Sequence, residues 1–124
     1  MVDALEVGRR GESAAARYLT AMGMRVVARN WRCRRAEVDL IAWDGDTLVF
    51  CEVKTRRSLA AGTPEDAVDP PKQARVSFAA LCYLATLDRE PPRVRFDVVA
   101  VRPIGPHRAV VRHHRAAFEA HEVR

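Results

Sequence analysis

The sequence predicts an α/β domain, a central mixed sheet flanked by helices with elements in the order α-β-β-β-α-β. Three observations carry this. Residues 37–43 and 48–54 are arms rich in β-branched and aromatic residues on either side of Asp44-Gly45-Asp46, a strong short-range hairpin signal. Apolar residues recur at helical spacing in two stretches, Gly11, Ala15, Leu19 and Met22, then Val76, Ala79, Ala80, Tyr83, Leu84 and Leu87. Both faces of the second hairpin arm are largely apolar, Leu48 and Phe50 on one and Val49, Cys51 and Val53 on the other, as in a strand covered on both sides.

In chain order, the first helix is expected from about Ala4 to Met22, with Gly23 as its stop. Met24 to Asn30 reads as a strand, followed by the hairpin. A long loop from Arg57 to Val68 leads to Asp69-Pro70-Pro71, an N-cap followed by proline at the first helical position. The second helix runs to about Leu87, and Asp88 to Pro92 breaks it. Arg93 to Val101 is a further strand, and His107 to Arg112 a candidate for another.

At 124 residues, 48% apolar and 30% charged, the chain suits one compact domain spanning 1–124. No apolar run approaches the ~20 residues that cross a bilayer, and the N-terminus lacks an apolar signal core, so no membrane partner and a cytoplasmic location are expected. Cys33, Cys51 and Cys82 are odd in number and lack CxxC spacing, which argues for reduced, buried thiols rather than a disulfide framework or a zinc site. The four histidines lie in or near the C-terminal tail without ligand spacing and read as surface groups.

The hairpin places acids where a core is expected. With a two-residue Gly45-Asp46 loop or a four-residue loop, Asp39 lies opposite Glu52 and Glu37 opposite Lys54, all on one face. Facing carboxylates repel unless a cation sits between them. Oxygen ligands without nearby His or Cys suit a hard ion, Mg2+ or Mn2+, which keeps several waters. The competing reading is a solvated face of cross-strand charge pairs. Lysine usage adds to the first: of twenty-one basic residues only Lys54 and Lys72 are lysine. A lysine beside the acids is a compact point charge that can lend a proton, whereas arginine is always charged and forked.

Asp39 followed across a hairpin by Glu52-Val53-Lys54 resembles the D…(D/E)-x-K signature of the restriction-endonuclease-like nucleases. The chain as a whole resembles the YraN-like family of small bacterial proteins, similar to archaeal Holliday-junction resolvases. The stretches carrying the likeness are 11–15, 30–32, 36–42, 49–56, 72–73 and 95–99. Ala36 departs from the pattern, which has glycine before Glu-Val-Asp. The resemblance implies a restriction-endonuclease-like core, a metal held by Asp39, Glu52 and the Val53 carbonyl, and catalysis by these acids with Lys54. It also implies that Glu12, on the first helix, points at the metal pocket; a surface acid favoured by the helix N-terminal half is the other reading. By analogy with resolvases, a two-fold homodimer is expected.

A net charge of +5 and a pI near 9.7 favour a polyanionic partner. Arg32, Arg34 and Arg35 lead into the acidic strand and Arg56 and Arg57 leave its partner, so they are candidates for phosphate contacts to nucleic acid, DNA in the first instance, unless they are solubilising charge. Lys72 and Gln73 open the second helix, where orphan amides favour a phosphate, or else are plain helix-start surface residues. Asp97 reads as an ion-pair partner for an arginine, and Trp31 and Trp43 as packing residues. The expected chemistry is metal-assisted phosphodiester hydrolysis; the alternative is a non-catalytic nucleic-acid-binding module of a DNA-processing complex.

Overall fold

The computed structural model describes residues 4–56 and 68–120. Helix α1 spans Ala4–Ala21, strands β1, β2 and β3 span Arg25–Cys33, Ala36–Asp44 and Thr47–Thr55, helix α2 spans Pro70–Leu84, and strands β4 and β5 span Arg93–Pro103 and Ala109–Phe118. The five strands form one sheet in the order β1-β2-β3-β4-β5. β3 and β4 are parallel and every other pair is antiparallel, so the sheet is mixed, as expected. The candidate last strand is real but lies later than 107–112. Of the expected Arg57–Val68 loop, residues 57–67, Arg57 among them, lie outside the described residues.

The two helices cover opposite faces. Ala15 and Leu19 of α1 pack with Leu40, Ala42, Val49, Cys51, Val99 and Val101, whereas Val76, Ala79 and Ala80 of α2 pack with Ile41, Leu48, Phe50 and Phe96. Alternation along β2 and β3 thus feeds both cores, which is why the second arm is largely apolar on both faces. Each fully buried Leu, Val or Phe contributes about 1.5–3 kcal/mol of burial. Met22 does not join the stripe of α1: the helix ends before it, it is 52% exposed, and Met24 fills the core instead. Gly11 is where α1 meets the end of β3, because a methyl group there would run into the Thr55 hydroxyl.

Asp69 caps α2 through Oδ1, which accepts the Lys72 N–H at 2.9 Å, and Pro70 and Pro71 follow. The expected phosphate-binding amides are therefore missing: the prolines have no N–H, and those of Lys72 and Gln73 are already bonded to Asp69. Tyr83 packs edge-on against both Trp31 and Phe50, and Trp43 joins the same core, so both tryptophans serve packing.

The cysteines depart from expectation. Cys33, at the end of β1, and Cys82 of α2 form a disulfide across 49 residues, with their Cα atoms 6.4 Å apart; only Cys51 is the expected buried thiol. Sequence spacing carried no sign of this, because the pairing depends on β1 bending over α2.

That bend has a local origin. Asn30 has φ 50°, in the left-handed region that asparagine tolerates better than most residues, and lies across from Asp39 between the pairs Arg29–Leu40 and Trp31–Val38. Faces exchange on either side of it. Arg29 bonds Ser13 of α1, yet Trp31 packs on α2; Leu40 belongs to the α1 core, yet Val38 and Ala36 belong to the α2 core. Ala36, the departure from the family pattern, is buried there.

Candidate functional site

The β2–β3 hairpin closes with a two-residue Gly45-Asp46 loop, Gly45 supplying φ 61°, and pairs from Asp44–Thr47 through to Leu40–Cys51. One step further, in the same register, Asp39 meets Glu52. There β2 turns away from β3 and side chains replace the backbone ladder. The Asp39 N–H donates to Glu52 Oε2 at 3.0 Å, and the Val53 N–H donates to Asp39 Oδ2 at 2.8 Å. In extended backbone the N–H and C=O of one residue point toward the same neighbouring strand, so the Val53 carbonyl also faces the gap opened between β2 and β3.

Because β2 leaves at Asp39, Glu37 never reaches Lys54. It pairs with Arg32 across β1 at 3.0 Å, which corrects the expected Glu37–Lys54 opposition and occupies one of the candidate nucleic-acid arginines.

Glu52 is 1% exposed. Its second oxygen, Oε1, lies 3.2 Å from the Nζ of Lys72, which reaches in from the first turn of α2. Lys54 follows Glu52 on the same face of β3, close enough to Lys72 for the two charges to act on each other. Burial first, and the Asp39 charge second, push the Glu52 carboxyl up to about 8. Burial and the Lys72 charge lower Lys54. Burial also disfavours the charged form of Lys72, but the charge of Glu52 outweighs it and raises the group overall. Two acids and two amines thus converge where the hairpin splays open.

Glu12 is half-buried next to Gly11 and so near the Thr55 end of β3, and no hydrogen bond or ion pair joins it to another described residue. Arg34 and Arg35 are exposed in the turn between β1 and β2, and Arg56 is exposed at the end of β3. Gln73 is buried, its side-chain amide donating to the Val68 carbonyl at 2.8 Å, and it presents no surface for a phosphate.

A family model described as uncharacterised protein family UPF0102 matches residues 11–101. The chain belongs to that family. A UPF0102 protein from Symbiobacterium thermophilum is 58% identical over 100 residues, covering 81% of this chain and 84% of its own. Relatives from Nocardia farcinica (49% over 116 residues, 94% and 91% covered) and Geobacter sulfurreducens (46% over 113 residues, 91% and 88% covered) carry the same family description. The YraN-like resemblance is to this family, which lies in the restriction-endonuclease-like superfamily. All four members of the cluster, Asp39, Glu52, Lys54 and Lys72, fall within the UPF0102 match.

A second polar cluster escaped the sequence. Asp97 of β4 is fully buried and accepts bonds from Arg95 at 2.8 and 3.0 Å, His113 Nε2 at 2.7 Å and the Ala116 N–H at 3.0 Å. The arginine partner was expected. His113, expected on the surface, is instead almost wholly buried, with Nδ1 3.3 Å from the Tyr18 hydroxyl. The only sequence signal was the alternation that places residue 113 on the α1 side of β5. Ala116, at φ 51°, marks the irregularity that brings its N–H to Asp97.

Proposed function

We propose that this UPF0102 protein is a metal-dependent nuclease that hydrolyses phosphodiester bonds in DNA, with branched DNA as its substrate class. The observation that carries the reading is Glu52, a buried carboxylate held against Asp39 at the point where β2 and β3 part, beside Lys54. A fold gains nothing in stability from two like charges there.

The donor set suits a hard divalent ion. Asp39 Oδ1 accepts no hydrogen bond among the described residues, Glu52 adds a second carboxylate, and the Val53 carbonyl faces the same gap. No group of three or more His, Cys, Asp or Glu among the described residues is placed to hold a metal ion, so the side-chain ligands on offer here are the two carboxylates. Asp39, Glu52 and the Val53 carbonyl would hold Mg2+ or Mn2+, which supplies polarisation of a phosphate oxygen and an acidified water when bound. Lys54 orients the attacking water and faces the charge that grows on the phosphate oxygens. Asp39 holds the Val53 N–H and so keeps the two strands at a fixed spacing while both carboxylates stay aimed inward. Exposed Arg34, Arg35 and Arg56 seat the phosphate backbone without reading sequence. A two-fold dimer fits paired cuts across a junction.

The test is incubation of the purified protein with forked, flapped and four-way DNA, with and without Mn2+. Cleavage that needs the metal and is lost in Asp39→Asn is the expected result. Intact DNA in every lane, with DNA retained by the protein, would replace the nuclease with a binding module.

A further inference from the structure

Lys72 stands between solvent and the one Glu52 oxygen that the backbone leaves available. Glu52 Oε2 is taken by the Asp39 N–H, and Oε1 by the Lys72 ammonium at 3.2 Å. The Glu52 side chain is 1% exposed, whereas that of Lys72 is 33% exposed. A first-turn position on a helix does not favour a cation, because the N-terminal end of the dipole is positive. Nor does Lys72 cap anything, since its own N–H is capped by Asp69. Glu52, rather than the helix, sets where this side chain points. Alongside nineteen arginines, the chain places its only two lysines here. A flexible four-carbon stem can let go of a carboxylate, whereas an arginine fork would hold both oxygens.

We infer that Lys72 is an exchangeable resident cation: it neutralises Glu52 in the metal-free protein, yields that carboxylate to a divalent ion, and then pairs with a phosphate of the bound nucleic acid. The inference rests on the metal-dependent reading above and adds an order to it. A divalent ion and the ammonium cannot share Oε1, so each weakens the other's hold, and the coupling is reciprocal. Once displaced, Lys72 has Lys54 beside it and no second acid other than Asp39 in the cluster, and Asp39 belongs to the same metal set. The remaining anion for a partly exposed ammonium at the mouth of the site is the substrate's phosphate. Release of Lys72 therefore makes nucleic-acid binding at this point conditional on metal, which keeps an unloaded protein from holding substrate in a reactive pose.

Mn2+ binding, measured by calorimetry in alkaline buffer so that a proton does not take the ammonium's place, tests the first half. Lys72→Met should bind Mn2+ about tenfold more tightly than the parent, and Lys72→Arg more weakly, since the fork competes harder for both oxygens. Unchanged affinity in both variants overturns the exchange. Asp39→Asn separates this from failure of the underlying reading: if the parent binds no Mn2+, or binds it equally well without the Asp39 carboxylate, the metal site itself is wrong. Affinity for a phosphorothioate duplex in the same alkaline buffer tests the second half. Lys72→Met should lose about tenfold with Mn2+ present and little without it; equal losses in both conditions mean that Lys72 never changes partner. Lys72→Arg retains a cation over Glu52 and serves as the folded control if Lys72→Met is unstable.

Discussion

Lys72 on α2 reaches the buried carboxylate of Glu52 on β3 at 3.2 Å, although twenty positions separate them in the chain. Burial and the charge of Lys72 lower Lys54, while the charge of Glu52 outweighs burial and raises Lys72. An amine that gives up its proton more readily is the better partner for an attacking water. The two lysines therefore differ in role: Lys54 next to the chemistry, Lys72 as the counter-charge.

Replacing Asp39 by Asn removes one of the two like charges and preserves an oxygen that can accept the Val53 N–H. The variant should melt at the same temperature as the parent or a few degrees higher, and its Glu52 carboxyl should move down toward the ordinary range. Divalent-metal binding should be lost and most DNA affinity kept. A strong loss of stability in the absence of metal would instead make the cluster a structural salt-bridge network.

Glu52 also gives a pH dependence whose sign is fixed. Its carboxyl is raised from 4.5 to about 8 in the folded protein, so between those values the folded state binds the extra proton. The stability this supplies is complete below about 4.5 and drains away as pH rises through about 8, by at most about 1.4 kcal/mol per pH unit. Glu52→Gln, which cannot ionise, should lack this decline, so its melting temperature relative to the parent should climb across that window. Saturating Mn2+ should restore the parent's stability at the alkaline end by binding the ionised form. Parallel melting curves for the two proteins at all pH values would refute the assigned burial cost.

Much of this was legible beforehand, and for identifiable reasons. The hairpin arms and the Asp-Gly-Asp turn put Asp39 and Glu52 on one face by parity, and the Gly45-Asp46 loop, one of those the turn left open, sets them opposite each other. The Glu37–Lys54 opposition failed because the same parity was carried past Asn30, and a single left-handed residue there exchanges the faces of both strands. The Cys33–Cys82 pair and the Lys72–Glu52 contact depend on where α2 lies against the hairpin, which no local pattern encodes. Lysine scarcity pointed to Lys54 beside the acids, but the helix-start reading sent Lys72 toward phosphate through backbone amides that prolines and Asp69 have already removed.

Lys54→Arg retains the charge and changes its shape. The fork cannot sit where a point-charge ammonium does and cannot lend a proton, so cleavage should fall by about 100-fold or more with folding unaffected. Circular dichroism and a single-turnover cleavage assay on four-way DNA check both halves. Parental activity in this variant would remove Lys54 from the chemistry.

Exposed Arg34 and Arg35 have no ion-pair partner among the described residues, in contrast to Arg32, which Glu37 engages. The double change to Ala should weaken DNA binding across all sequences and reduce the slope of log affinity against log salt by roughly 2. Arg32→Ala should do less, because that guanidinium is already paired. Fluorescence anisotropy over a salt series distinguishes the two; equal effects, or none, would return these arginines to the role of solubilising charge.

The Asp97 cluster should behave as structure alone. Burial pushes its carboxyl up, but the bonds from His113, Arg95 and the Ala116 N–H outweigh that and hold it below the ordinary value of 3.8. Its contribution is therefore present above about 3.8 and is lost as pH falls through the lower folded value. Asp97→Asn leaves Arg95 with Asp44, at 3.0 Å, as its remaining carboxylate and loosens β5 from β4, and should cost about 1–3 kcal/mol at neutral pH. His113→Ala should cost less, since it breaks one bond to Asp97 and the contact with Tyr18 while Arg95 stays paired. Neither should change Mn2+ affinity, because Glu52, and not Asp97, faces the gap between β2 and β3. Denaturant melts beside Mn2+ titrations make the comparison. A loss of metal binding in a still-folded Asp97→Asn would show that this cluster communicates with the carboxylates at Asp39 and Glu52.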